Sequence, residues 1–202
     1  MSSTETAPAG GTRPAPPAVE SLDARQRARR DRIVAAAVEL MLTRDYDSVQ
    51  MKDASVAGGV ALGTMYRYFS SKEHLFAEAL LAWSERFGEE RASPTGRSVD
   101  RLKVAYRRAA RAFERHPPVY GYLLALQDAG DPLAVERFER FAARQTTAFA
   151  TYLPRVPPAK RKRIVSVMNA VLDAGLRDWT LRRQPIEAVY TAIDDAAELL
   201  VG

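Results

Sequence analysis

Between Gly63 and Lys72 the chain gathers side chains suited to holding nucleic acid: Thr64, Tyr66, Arg67 and Tyr68 follow Gly63, and Lys72 lies just beyond. The hydroxyls of Thr64 and Tyr68 match phosphate oxygens. Arg67 can read a guanine edge or hold a phosphate. Gly63 lets a backbone come close to its ligand, and Lys72 at a helix start adds charge to free N–H groups for one phosphate. Upstream, Arg25, Arg27, Arg29, Arg30 and Arg32 form a basic arm. Arg27, Arg29 and Arg30 are read either as phosphate or minor-groove contacts or as a solvated helix start. Other chemistry is poorly served. His74 and His116 are the sole histidines and have no metal-ligand partner at motif spacing. The sequence has no phosphate loop, dinucleotide fingerprint or nucleophile elbow. An enzyme is not expected, nor any cofactor or metal.

The elements that must position these residues run from Ser48 to Leu81. Ser48 is expected to cap a short helix with Met51, Ala54 and Val56 or Ala57 on its apolar face, and it is counted with the DNA-facing set. Gly58 and Gly59 supply a turn. A second short helix follows, with Leu62, Met65 and Phe69 expected inward and Leu62, Gly63, Thr64, Arg67 and Tyr68 as candidates for the DNA side. Ser70 and Glu73 have the spacing of a capping box for a longer helix. Spacing alone permits either a core hairpin or a helix-turn-helix whose second helix enters the major groove. The polar outer residues and the arginine arm favour the latter.

The stretch Val60-Ala61-Leu62-Gly63-Thr64-Met65-Tyr66-Arg67-Tyr68-Phe69-Ser70-Ser71-Lys72-Glu73-His74-Leu75 resembles the signature of the TetR family of bacterial repressors, the match running from roughly Arg29 to Leu80. The resemblance places Gly59-Val60 on the family turn, Thr64 to Phe69 on the recognition helix and Lys72 on the lysine that opens the fourth helix. An aromatic at the position of Tyr66 packs at the core edge or touches a phosphate in that family. Two positions depart from the pattern. Ser55 and Gly58 stand where alanines are usual, and Ala61 stands where a Ser or Thr cap is usual, each change weakening local helix order by up to about 1 kcal/mol. The DNA-reading half is most similar to actinobacterial repressors of steroid and lipid catabolism.

The whole chain has 202 residues, 47% hydrophobic, and a net charge of +5, which permits nucleic-acid binding without demanding it. The absence of cysteine removes disulfides and fits a reducing, cytoplasmic setting. No apolar run reaches the roughly 18 residues of a membrane span, and no signal peptide is evident. Residues 1–22 read as a disordered tail, 23–72 as the helix-turn-helix domain and 73–202 as an effector-binding and dimerisation domain. Helices are expected at 31–43, 73–90, 99–115, 119–127, 133–153, 159–180 and from 185 onward, with a break at 91–98. The 73–90 helix has a broad apolar face that includes Trp83 and Phe87, fit to pack on two bodies. The basic side of 99–115 (Arg101, Lys103, Arg107, Arg108, Arg111, Arg115) reads as solvated.

The fold class is therefore all-α: an N-terminal three-helix domain plus a C-terminal bundle, about nine helices in total. Tyr106, Phe113, Tyr120, Leu124, Phe138, Phe141, Phe149, Met168 and Trp179 are either ordinary core or the wall of an apolar pocket with polar contacts from Gln127 or Asn169. The last two helices complete one core or meet a second copy in a four-helix dimer, and the resemblance favours the dimer. It implies a homodimeric repressor on an inverted repeat of double-stranded DNA, released by a small hydrophobic effector such as a steroid or acyl coenzyme A thioester. The alternatives are an activator or constitutive regulator without ligand, and a helical interaction protein that binds no DNA.

Overall fold

The computed structural model describes residues 16–89 and 96–202. Most of the expected tail, most of the 91–98 break and the Phe87 side chain lie outside the described residues. Among the described residues nine α-helices follow one another: α1 (Ala24–Thr43), α2 (Met51–Ala57), α3 (Leu62–Tyr68), α4 (Lys72–Glu89), α5 (Ser98–Arg115), α6 (Pro118–Gln127), α7 (Pro132–Ala150), α8 (Pro158–Thr180) and α9 (Ile186–Val201). Short 3-10 turns lie at Val19–Ser21 and Tyr46–Ser48.

Helix α1 starts seven residues before the expected Asp31 because Asp23 caps it. Its carboxylate accepts the Gln26 N–H at 2.8 Å, and Gln26 Oε1 accepts the Asp23 N–H at 3.0 Å. Arg30, Ile33, Val34, Ala37, Val38 and Met41 form its buried stripe, at the spacing of one helical face. Ser48 does not cap α2. The chain makes its 3-10 turn at Tyr46–Ser48 and runs extended through Val49, so Gln50 takes the N-cap position and its N–H bonds the Asp53 carboxylate at 2.7 Å. The Ser48 hydroxyl donates instead to Asp45 O at 2.8 Å.

The turn between α2 and α3 is a Schellman closure. Val60 N–H donates to Ser55 O at 3.0 Å and Gly59 N–H to Val56 O at 3.1 Å. Gly59 has φ +63°, where a side chain is strained. Gly58 keeps an ordinary right-handed backbone, but a Cβ there would lie 3.3 Å from Ile33 Cγ1. Its departure from the family alanine therefore lets α2 sit close on α1. At Ala61, the N-cap of α3, no side chain accepts a hydrogen bond.

Helix α4 runs through the middle of the molecule, packed against α1 on one side and α7 on the other, while α5, α8 and α9 pack together at the far side. The buried residues of both halves form one continuous cluster. The basic side of α5 is not simply solvated. Arg107 Nε and Nη2 donate to the Asp194 carboxylate at 2.9 and 2.5 Å, and Lys103 Nζ reaches Glu198 at 2.6 Å, so α5 is laced to α9. No helix among the described residues is long and apolar enough to cross a membrane.

Replacing Gly59 by alanine is expected to destabilise the protein by about 1 kcal/mol, because a Cβ disfavours the left-handed region, and by less for Gly59→Asn. Urea unfolding of the two variants measures both, and equal losses would contradict the left-handed turn.

Candidate nucleic-acid interface and interior cavity

Helix α3 turns Met65 and Tyr68 inward, and Phe69 closes it with no exposure. Ala61, Gly63 and Arg67 are exposed, Leu62 is 39% exposed, and Thr64 and Tyr66 are half-buried. The open face is therefore Leu62, Gly63, Tyr66 and Arg67, a stripe at helical spacing. One side assignment differs from expectation, that of Tyr68, and the double assignment of Leu62 resolves to one side. Tyr68 lies about 60° round the helix from Met65, so it belongs to the inward side, 8% exposed with its ring 6.5 Å from that of Phe69. Leu62, at the first helical position, projects outward.

Of the arm, Arg25, Arg27 and Arg32 are exposed and Arg29 is half-buried. Arg30 is different. It is 8% exposed, makes an ion pair with Glu78 of α4, and lies 5.3 Å from the Phe69 ring centroid. It belongs to the interior and not to a phosphate. The signal was available, since Arg30 sits on the same helical stripe as Ile33, Val34 and Ala37. Lys72 is also engaged: its ammonium donates to Tyr46 O at 2.5 Å and stands 3.7 Å over the Tyr46 ring, with desolvation lowering its pKa.

The Ser70–Glu73 capping box does not form. Ser71 caps α4, its hydroxyl accepting the His74 N–H at 3.0 Å. Ser70 donates to Asp131, the N-cap of α7, at 2.5 Å. Glu73 accepts the Tyr46 hydroxyl at 3.4 Å. His74 Nδ1 accepts the Ser70 N–H at 3.3 Å, and its Nε2 lies 3.9 Å from Glu78. Desolvation is the main reason that the His74 pKa drops to about 4; the charges of Arg30 and Arg137 add to the drop and Asp131 opposes it.

Beyond α4 lies a cavity of about 410 Å³, walled by Trp83 of α4, Ala105, Ala109 and Phe113 of α5, Tyr120 and Leu123 of α6, Phe138, Phe141 and Phe149 of α7, and Leu172 and Leu176 of α8. Gln127, Gln145, Asn169 and Asp173 supply polar groups, and Arg108 and Arg144 also line it. Arg144 makes an ion pair with Glu85 of α4. Five of the expected residues (Phe113, Tyr120, Phe138, Phe141, Phe149) are in the wall. Tyr106, Leu124, Met168 and Trp179 are not. Tyr106 lies one layer behind, stacked on Phe149 at 4.1 Å, with its hydroxyl 2.7 Å from Asn169 Oδ1 and 3.2 Å from Val165 O. Met168 has no exposure at all. Trp83, Leu123, Leu172 and Leu176 also stand in the wall, and helical periodicity does not tell a core face from a cavity wall. Among the described residues no group of three His, Cys, Asp or Glu could hold a metal ion.

A two-helix reading head on a helical body with an apolar cavity is the architecture of a DNA-binding regulator, and residues 33–79 match the model of bacterial regulatory proteins of the tetR family. The DNA-reading part of the chain thus carries the pattern of the TetR family of bacterial regulatory proteins. Over most of its length the chain is similar to the HTH-type transcriptional repressor KstR of Rhodococcus jostii, with 29% identity over 179 residues, 88% of this chain and 84% of the relative. Its fold matches the crystal structure of a TetR transcriptional regulator from a Rhodococcus species (TM-score 0.75, 24% identity, 87% of this chain and 96% of the other). It also matches the transcriptional regulator FadR from Bacillus subtilis in complex with stearoyl-CoA (TM-score 0.65, 17% identity, 85% and 97%).

The buried, neutral His74 has a pH consequence. Its folded pKa of about 4 lies below the unfolded 6.5, so the unfolded chain binds the extra proton first as pH falls. Stability should decrease from about pH 6.5 down to about 4, by on the order of 3 kcal/mol for this group. A His74→Gln variant should show a flatter pH–stability profile over that window by chemical denaturation, and an unchanged slope would contradict the assignment.

Proposed function

We propose that this chain is a ligand-responsive repressor that binds an inverted-repeat operator as a homodimer and is released by a small apolar or acyl-thioester effector. The observation that carries the reading is the pairing, in one packed chain, of an open helix-turn-helix face with an interior apolar cavity. Similarity to a transcriptional repressor supports the direction of regulation. The occurrence of stearoyl-CoA in a protein of the same fold supports an acyl-thioester class of effector. Residues 23–72 form the reading head and 73–202 the effector and dimerisation body, in a cytoplasmic protein.

Arg67 and Gly63, on the open face of α3, approach the bases. Thr64, Tyr66, Arg27 and Arg29 hold phosphates, an arrangement that positions the head without reading sequence. Lys72 joins them by leaving Tyr46. For the dimer, α8 presents Val167 (46% exposed), Ala170 and Ala174 along one face, and α9 presents Leu199 (87% exposed) near Ala192 and Ala196. Two copies of this pair make a four-helix contact with small residues at the seam. Half-sites then lie one helical turn or a multiple of it apart. An effector that favours a different head spacing releases the DNA through its differential affinity for the two states.

A titration at fixed salt with DNA from the upstream region, against scrambled DNA of equal length, tests the reading. The natural sequence should bind more tightly. Arg67→Ala should weaken it by about 5- to 100-fold, equivalent to about 1–3 kcal/mol, and saturating stearoyl-CoA should lower operator affinity at least tenfold. Equal, weak binding to both DNAs would contradict the regulatory reading. Operator affinity unmoved by stearoyl-CoA or by steroid probes would contradict effector release.

A further inference from the structure

The cavity wall and the reading head share one helix. α7 lines the cavity with Phe138, Phe141, Gln145 and Phe149. Its opening turns reach the other way, to the head. Asp131 Oδ1 accepts the N–H groups of Leu133 and Ala134 at 2.8 and 3.4 Å, which starts the helix. Its Oδ2 accepts the Ser70 hydroxyl at 2.5 Å, and Ser70 directly follows Phe69, the residue that closes α3. Further along α7, Arg137 Nε lies 2.7 Å from Glu78 Oε1, and the same oxygen is paired with Arg30 of α1. The three side chains are 9, 11 and 17% exposed for Arg30, Glu78 and Arg137.

The apolar packing between α4 and α7 resists sliding through interdigitated side chains. The polar clasps add fixed partners to that packing. A hydroxyl–carboxylate bond weakens steeply with distance and angle, and a buried carboxylate between two guanidiniums leaves an uncompensated charge if either departs. A helix held by such contacts moves with its partners or breaks from them in a step.

We propose that α7 holds the recognition helix in register with the cavity wall through the Asp131–Ser70 and Arg137–Glu78–Arg30 clasps, so that displacement of α7 by a cavity ligand reaches α3 and α1 directly. Ser70, Glu78 and Arg137 are positioning residues. The signalling half of this statement rests on the effector reading above; the mechanical half does not.

Hydrogen exchange by mass spectrometry on the full chain separates the two halves. In the first arm, with neither DNA nor ligand, the Ser70→Ala/Arg137→Gln double variant should exchange at least tenfold faster in α1 and α3 while α8 and α9 stay unchanged. Arg137→Lys, which keeps the charge, should retain at least half of the protection. No change in the head, loosening spread evenly through α8 and α9, or no rescue by lysine would overturn the clasp. In the second arm, stearoyl-CoA is the probe, and tryptophan fluorescence of a Trp179→Phe background, which leaves Trp83 of the cavity wall as the sole tryptophan, reports its binding. The probe should alter exchange in α1 and α3 of the wild type, and bind the double variant without doing so. An equal response of the head in both proteins would overturn the proposal. Failure of the wild type to bind any acyl or steroid probe counts against the effector reading alone, because the first arm decides the clasp without ligand.

Discussion

A buried carboxylate sets the geometry of this molecule. Glu78 lies 9% exposed in the middle of α4, between Arg30 from α1 and Arg137 from α7. Charges taken out of water are tolerated only when paired, and removing one member of such a group typically costs about 3–5 kcal/mol. Packing alone restricts α1 and α7 to a few crossing angles on α4. The ion pairs add a charge requirement to it, because Glu78 must keep both guanidiniums near. The same environment keeps His74 neutral, since two guanidiniums and burial oppose a third positive charge. The junction of head and body is thus held by charge, with the Tyr46 ring packed edge to face on Phe76 and on Tyr122, whose own two rings are tilted against each other.

The reading head depends on that junction more than on its own sequence. α2 and α3 have seven residues each, far below the length at which an isolated helix persists in water. α3 has no side-chain cap at Ala61 and places a glycine in its first turn. Its order comes from the burial of Met65, Tyr68 and Phe69, with the Phe69 ring beside Arg30 of α1 and His74 of α4, and from the Schellman closure at Gly59. A head built in this way inherits its orientation from α1 and α4. Whatever shifts those helices re-aims Arg67, which is the property a switchable DNA reader needs. The cavity lies on the other side of α4, where Trp83 forms part of its wall.

The helices and the head were legible in the sequence because periodicity, glycine and proline act locally. α4 to α9 begin within a residue or two of expectation for that reason. What failed was pairing over distance. Nothing local distinguishes an arginine on a phosphate from one on a buried carboxylate forty-eight positions later, so Arg30 read as part of the arm although its place on the apolar stripe pointed inward. Ser70 has a capping-box spacing with Glu73, yet both side chains are spent on partners from other elements, Asp131 and Tyr46. The side of Tyr68 was a question of about 60° of helix rotation, which only the packing of Met65 and Phe69 resolves. The cavity wall was half legible, because an aromatic set implies either a core or a pocket and the choice depends on how five helices splay.

The proposed release mechanism requires that occupancy of the body change the spacing of two reading heads. The natural chain has no cysteine, so one introduced at Val56, 73% exposed on α2, gives a single spin label per protomer. Pulsed dipolar spectroscopy on the labelled protein would read the head-to-head distance directly. One narrow distribution is expected with operator DNA, and a distribution displaced by several ångströms with saturating stearoyl-CoA or a steroid probe that binds. A distance unchanged by a bound ligand, or no inter-protomer distance at all, would contradict it.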